Sequence, residues 1–357
     1  MRTIARTAMR LAAGAVLLGA LLAPRPAAAD DSLRLILGST AFGLGDVVQF
    51  VAEDEGFYKQ QHLDVDRQEA NNPAICAQLV ASGKGDVCAM NVVPILTGYD
   101  KGLRLQLFLS RVGRFSYVLG VSDDSPIRTL ADFKGATLGE ISVGVGEAVA
   151  PSMLAEGGLH PSDVTYLAIG SGPQAIAALN DKRVTALVFP YLELVKYDVI
   201  YHQKYRIFYH PILSDISDVG YAASPATIQA RPDVLARFAR ALVEAAVFVR
   251  ANPVASARIF LRDAPGKKPT EDDVRNVTRE LILCRQYLPA ADPLSKRIGL
   301  LHAQGIEYLS QALTAAGIGR TVVPADAVMT NQFVDFANDF DHKAVIAQAR
   351  KLGTGPQ

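Results

Sequence analysis

Two stretches of this chain follow the same order of strand, loop, helix and strand, and that repetition limits the architectures open to it more than any composition figure. In the first, Leu33–Leu37 is apolar without alternation, the pattern of a strand covered on both faces. A Gly/Ser-rich loop, Gly38–Gly45, leads to Asp46, placed to cap a helix over Val47–Glu55 that stops at Gly56. A strand over Leu63–Asp66, a helix from Pro73 to Gly83 and a strand over Asp86–Asn91 complete the unit. The second stretch reads Ala136–Ile141 as strand, Ser142–Gly146 as loop and Glu147–Glu156 as a helix halted by Gly157-Gly158. A strand over Val164–Ile169 follows; Gly170-Ser171-Gly172-Pro173 then opens a helix, Gln174–Asn180, before the strand Ala186–Phe189. FVAEDEGFYKQQHLDV corresponds in place to SMLAEGGLHPSDV, and CAQLVASGKGDVCAMN to AIAALNDKRVTALVFP. Strand–helix–strand succession implies helices layered on largely parallel sheets with right-handed crossovers.

Between the halves, Phe115–Val121 is apolar and β-favouring, suited to cross from one lobe to the other, with a return near Val219–Ala223. From Arg231 the pattern turns helical: RPDVLARFARALVEAAVFVRANP has Pro at its start and Asn-Pro at its end. Further amphipathic helices are expected over Glu271–Tyr287, Leu294–Ala316 and Lys343–Leu352. The division expected is residues 30–117 and 222–357 in lobe 1, the latter carrying the C-terminal helices, and 118–221 in lobe 2.

Residues 1–29 stand apart. Arg2, Arg6 and Arg10 precede the uncharged run Leu11–Ala23, and Pro24-Arg25-Pro26 leads into Ala27-Ala28-Ala29. A basic start, a short apolar run and an A-x-A site read as a secretory signal peptide cut after Ala29. As a helix that run rises only about 20 Å, short of the roughly 30 Å of a hydrocarbon core. No cysteine lies near the cut, which points to an exported, soluble product without a lipid anchor, periplasmic in location. The segment holds four arginines and no acid, so removing it leaves 32 basic against 36 acidic residues. That balance offers no surface for nucleic acid or for anionic membranes. Cys76, Cys88 and Cys284 show no metal-ligand spacing, and no metal or cofactor is expected. Either a Cys76–Cys88 bridge or three buried thiols fits them.

With these elements in place, VAEDEGFYKQQHLDVD resembles the helix–GFY–strand block that opens the substrate-binding proteins of nitrate/sulfonate/taurine-type ABC importers, a group that includes binders of thiamine-precursor pyrimidines. SPIRTLADFKGATLGE is similar to that family's passage into its second lobe, and VMTNQFVDFANDFD to its C-terminal helix region. AALNDKRVTALVF resembles the block before the third strand of lobe 2, with Asn180-Asp181-Lys182-Arg183 replacing a short Gly turn. The resemblance implies a type II periplasmic-binding-protein fold. It has two lobes, each a mixed sheet flanked by helices, with a small ligand in the cleft and hinge closure around it. It also implies a monomer whose partner is an importer's membrane permease.

Ligands of open α/β sheets sit beyond the carboxyl ends of the strands, beside helix N-termini. Lobe 1 offers Ser39, Thr40 and Phe42 after its first strand and Asn91 after its third; Arg111 follows the strand Leu103–Leu109, with Arg114 beside it as a fork for an anion. Lobe 2 offers Ser142 and Gly144 in a loop of backbone N–H donors. Gly144-x-Gly146 lacks the third small residue of a dinucleotide fingerprint, and no Gly-Lys-Ser/Thr follows, so a nucleotide loop is excluded. Tyr191 and Glu193 lie at the end of Ala186–Phe189, and Tyr221 and Asp218 at the return crossing. Two pockets result: Arg111 with Ser142 suits a sulfonate or carboxylate, which is the favoured reading, and Glu193 with Tyr191 suits an amine-bearing ring. A same-fold enzyme, a desulfinase or decarboxylase, would need a thiolate or histidine at the strand ends. Cys76 and Cys88 instead fall within a helix and a strand, so a binding protein rather than an enzyme is expected.

Overall fold

Of the five apolar-run residues Leu33–Leu37, only Arg34 is not buried, because the strand they form is covered on both faces. The computed structural model describes residues 30–38, 43–70, 72–141, 145–210, 219–263, 268–285, 296–315 and 317–352. The first half of the chain gives β1 (Asp31–Leu37), α1 (Val47–Asp54), β2 (Leu63–Glu69), α2 (Pro73–Ala81), β3 (Val87–Asn91), α3 (Val93–Tyr99) and β4 (Gln106–Ser110). The second half repeats the scheme with β5 (Tyr117–Ser122), β6 (Thr137–Glu140), α4 (Val145–Ala155), β7 (Thr165–Ala168), α5 (Pro173–Asn180), β8 (Ala186–Pro190), α6 (Tyr191–Tyr201) and β9 (Tyr205–Phe208). β10 (Val219–Ala223) follows, then α7 (Pro232–Ala251), α8 (Pro253–Asp263), α9 (Glu271–Leu283), α10 (Ala303–Ala315) and α11 (His342–Lys351), with shorter turns between them.

The strands form two five-stranded mixed sheets, β2-β1-β3-β10-β4 and β7-β6-β8-β5-β9. Their orders are equivalent position by position, so the repeat seen in the sequence is a repeat of topology. Each sheet contains one strand delivered by a crossing. β5 lies antiparallel between β8 and β9, and β10 lies antiparallel between β3 and β4. This exchange differs from the expected division at both ends. Tyr117 pairs with Pro190 in the second sheet, and Val219, Gly220 and Tyr221 pair with β3 and β4 in the first. Val219–Ala223 is therefore a central strand of lobe 1 and no longer a crossing. β9, which carries no clear sequence signal, closes the second sheet.

The exchange also fixes how the sheets face. The chain leaves sheet 1 at Ser110 and enters sheet 2 at Tyr117, a link that spans at most about 25 Å. It leaves sheet 2 at Phe208 and re-enters sheet 1 at Val219, next to Asn91. Both links join the edges at which β1, β3, β4 and β6, β7, β8, β9 end, so those carboxyl edges are turned toward each other.

α7 is the keel of lobe 1. Phe238 packs against Tyr58, Phe108 and Tyr221 with ring centroids 5.8, 6.4 and 5.7 Å away, and the same buried cluster takes in Val195 and Val199 of α6. Lobe 2 thus rests on the C-terminal helices through α6, which packs on α9. Cys76 of α2 and Cys88 of β3 are joined in a disulfide with no exposed surface, which selects the bridged reading of the two open before. Closing so short a loop stabilises the fold by about 3 kcal/mol. Two helix expectations shorten: α9 ends at Leu283, and α10 begins at Ala303.

Candidate functional site

The rim of lobe 1 is organised by Asp46, which does not cap α1. Its carboxylate accepts the Gly43 N–H at 2.8 Å and is ion-paired with Arg111. Arg111 also donates through Nε to the Gly45 carbonyl at 3.0 Å, and its backbone N–H bonds Val219 O at 2.9 Å. Gln49 turns its amide nitrogen to Asp46, 2.7 Å from the carbonyl oxygen and 3.3 Å from Oδ1, while its oxygen accepts from Tyr221 Oη at 3.2 Å. With side-chain exposures of 13 % and 10 %, Arg111 and Asp46 neutralise each other inside lobe 1. Tyr221, expected in the cleft, lies in the core with 2 % exposure because β10 is central; burial raises its hydroxyl pKa, and its contact is with Gln49.

Arg111 still lines a small cavity of about 180 Å³ at the strand ends, together with Gly38, Asp46, Asn91 and Val219. Gly38 is needed there for closeness: a Cβ would meet Pro73 Cα at 3.1 Å. Asn91 also lines a larger cavity of about 550 Å³, bounded by Val93 and Thr97 of α3, Tyr117 at the crossing, Val149 of α4 and the segment Ile318–Arg320. Its Oδ1 is buried and has no hydrogen-bond partner among the described residues. An acceptor left so costs about 1–3 kcal/mol, which a ligand donor would recover.

At the rim of lobe 2, Glu140 ends β6 with 2 % exposure and accepts the Gly146 N–H at 2.6 Å. A carboxylate of the protein itself thus occupies the place at the start of α4 where a phosphate loop would hold its phosphate, in agreement with the exclusion of a nucleotide site. The Tyr197 hydroxyl of α6 accepts from Gly172 N at 2.5 Å and so braces the Gly170–Gly172 loop. Glu193, in the first turn of α6, lies close enough to Tyr197 and to Glu280 of α9 for its charge to help raise the pKa of both. Tyr191 packs on Tyr209 with centroids 6.0 Å apart and donates its backbone N–H to Ser116 O at 2.8 Å, which puts it at the crossing. His210, on the return link, lies between Phe115 and Tyr308, with Nε2 3.1 Å from Ser152 Oγ. Burial lowers its pKa to about 4.

Asn91 and Arg111 are therefore brought to one rim, and Tyr191 and Glu193 to the other, while Tyr221 stands behind the first. Ser39, Thr40, Phe42, Ser142, Gly144 and Asp218 lie outside the described residues. Sequence reading passed over Asp46 as a network centre, and with it Glu140, Tyr197 and His210. Only Glu140 carried a signal, a lone acid closing an apolar strand. The bridged cysteines supply no thiolate, and the buried Cys284 thiol is pushed up by desolvation.

Known proteins resemble this chain in sequence and in fold. It is 24 % identical over 220 residues to a formylaminopyrimidine-binding protein of Halalkalibacterium halodurans, a match covering 59 % of this chain and 64 % of that relative. It is 22 % identical over 294 residues to the riboflavin-binding protein RibY of Chloroflexus aurantiacus, covering 80 % and 81 %. The Escherichia coli periplasmic aliphatic sulphonate binding protein SsuA superposes with a TM-score of 0.64 at 14 % identity, over 83 % of this chain and 91 % of that one. The desulfurization enzyme DszB, in complex with biphenyl-2-sulfinic acid, superposes at 0.53 with 15 % identity, over 86 % and 98 %. The architecture is thus that of periplasmic binding proteins, with some enzymes built on it. A family model described as NMT1/THI5 like matches residues 47–256, more than half of the chain, and the chain belongs to that family.

Proposed function

We propose that this protein is an exported solute receptor that holds one small organic molecule between its lobes and hands it to the membrane permease of an ABC importer. The observation that carries the reading is the cavity of about 550 Å³, whose wall is drawn from Asn91 in lobe 1, Tyr117 at the crossing and Val149 in lobe 2. A ligand touching both lobes favours the closed arrangement by its differential affinity, and the short link 111–116 between the sheets is the natural hinge among the described residues. Closure gives the permease a shape to recognise. The signal-like residues 1–29 and the buried Cys76–Cys88 bridge support an oxidising, extracytoplasmic setting. In this reading Asn91, which lines both cavities, is the described contact shared by them, Arg111 lines the smaller one, and Tyr191, Glu193, Ser39, Thr40, Phe42, Ser142 and Gly144 are the further residues proposed around the ligand.

Two ligand types remain in view, each with its own support. The names of the sulfonate-binding neighbours favour an organic anion. The unpartnered Asn91 acceptor and the names of the two relatives favour a donor-bearing ring. The test is a thermal-shift and calorimetric screen of residues 30–357 against alkanesulfonates, carboxylates, pyrimidines and flavins. A ligand at a hundred times its Kd adds about 2.7 kcal/mol of stability. Binding without chemical change of the ligand is the expected result; turnover of the ligand by the purified chain would overturn the receptor reading in favour of an enzyme.

A further inference from the structure

The larger cavity has unlike ends. Its inner end is the strand-edge Asn91, whose buried Oδ1 has no partner among the described residues. α3 runs along the cavity from Asn91 to Asp100, and its wall also takes in the half-buried Tyr117 and the apolar Val149 and Ile318. Its outer end is lined by Lys101 and Arg320, both exposed, together with Asp100. That acid is already engaged: Asp100 accepts from Thr321 Oγ1 at 2.6 Å and from Arg320 N at 2.9 Å, and these bonds, with the nearby Arg320 charge, lower its pKa. The mouth therefore carries two cations, Lys101 and Arg320, against one ionised carboxylate, Asp100, a net single positive charge.

We infer that the ligand is an elongated molecule with an N–H- or O–H-bearing head set on Asn91 and an anionic tail, a phosphate monoester or carboxylate, directed to Lys101 and Arg320. The inference rests on the receptor reading and deepens it. It locates the anion preference in a part of the pocket that sequence did not single out, because the rim arginine, Arg111, is already neutralised by Asp46. A head-only ligand satisfies the orphaned acceptor and leaves the cationic mouth to solvent. A tail-only ligand, such as a short alkanesulfonate, does the reverse. A molecule carrying both groups uses the length of the cavity along α3, and the aromatic and apolar side chains of its wall accept a ring.

Matched pairs test this directly: riboflavin against riboflavin 5′-phosphate, and thymidine against thymidine 5′-phosphate, with a C2–C6 alkanesulfonate series alongside. Affinities are measured by calorimetry on residues 30–357 and on a Lys101→Ala/Arg320→Ala double variant. The phosphate member of a binding pair should bind at least tenfold tighter than its alcohol. In the double variant that preference should fall below twofold, and Asn91→Ala should weaken both members of the pair alike. The preference should also shrink as salt is raised, since the mouth is exposed. Equal affinity within a pair, or a preference that survives the double substitution, would overturn the inference while leaving the receptor reading intact. So would binding of alkanesulfonates with neither pair bound. A chain stabilised by no member of the panel overturns both.

Discussion

The two rims share a topology and use their polar side chains in opposite ways. In lobe 1, Asp46, Arg111, Gln49 and Tyr221 satisfy one another, leaving Asn91 as an unsatisfied buried acceptor. In lobe 2, Glu140 and Tyr197 spend their polar capacity on backbone N–H groups of the glycine loops, at Gly146 and Gly172. Lobe 1 also holds the disulfide, whose Cys88 lies three residues before the rim residue Asn91. The difference teaches that equivalent strand ends need not supply equivalent contacts: one rim is a self-neutralised base, and the other is a brace for loops.

The strongest way to break this contrast is Asp46→Ala. It leaves the Arg111 charge buried without its partner and should cost about 3–5 kcal/mol in chemical denaturation. Asp46→Ala combined with Arg111→Met should recover most of that loss, because the uncompensated charge is gone. If the single variant unfolds like wild type, the self-neutralised rim is not a structural base. Replacing both Cys76 and Cys88 by Ala should cost about 3 kcal/mol, and the loss should match that seen on reducing the wild-type protein.

A pH comparison sharpens the roles of the crossing and of the α6–α9 contact. His210 has its pKa lowered from 6.5 to about 4, so the unfolded chain takes up its proton first; stability from this residue is full above pH 6.5 and declines as pH falls toward 4, by about 3 kcal/mol in all. Glu280 has its pKa raised by burial from 4.5 to about 7, the reverse case; its contribution is full below pH 4.5 and is lost as pH rises through 7. The two oppose each other over one window. Relative to wild type, Glu280→Gln should make stability rise more steeply with pH between 4.5 and 6.5, and His210→Gln should turn the slope downward. Parallel slopes in all three proteins would remove both assignments. The smallest effect expected is Tyr197→Phe. Losing the hydroxyl that accepts from Gly172 N should cost about 1 kcal/mol, with faster amide exchange confined to the Gly170–Gly172 loop.

Much of the fold was legible because burial on two faces leaves nearly continuous apolar strands such as Leu33–Leu37, interrupted only by Arg34, and Ala186–Phe189, and glycines mark where helices stop. The site was legible by position and less so by role. Arg111 and Asn91 were found because they follow strands, and that is where cleft residues lie. What Arg111 does depends on Asp46, 65 residues earlier, and no local pattern reports such a partner. Tyr221 was misplaced for a related reason. A crossing strand and a central strand have the same composition, and only pairing to β3 and β4 tells them apart.

The sequence by itself determined the two-lobe α/β repeat, the C-terminal helices and the absence of a nucleotide fingerprint, since periodicity and glycine spacing are local. Only the tertiary structure decided that Cys76 meets Cys88, that Arg111 is neutralised, that Glu140 fills the start of α4, and that Asn91 is left with an acceptor to satisfy. Those outcomes depend on which strand ends are brought together across the chain, and that is set by the exchange of β5 and β10 between the sheets.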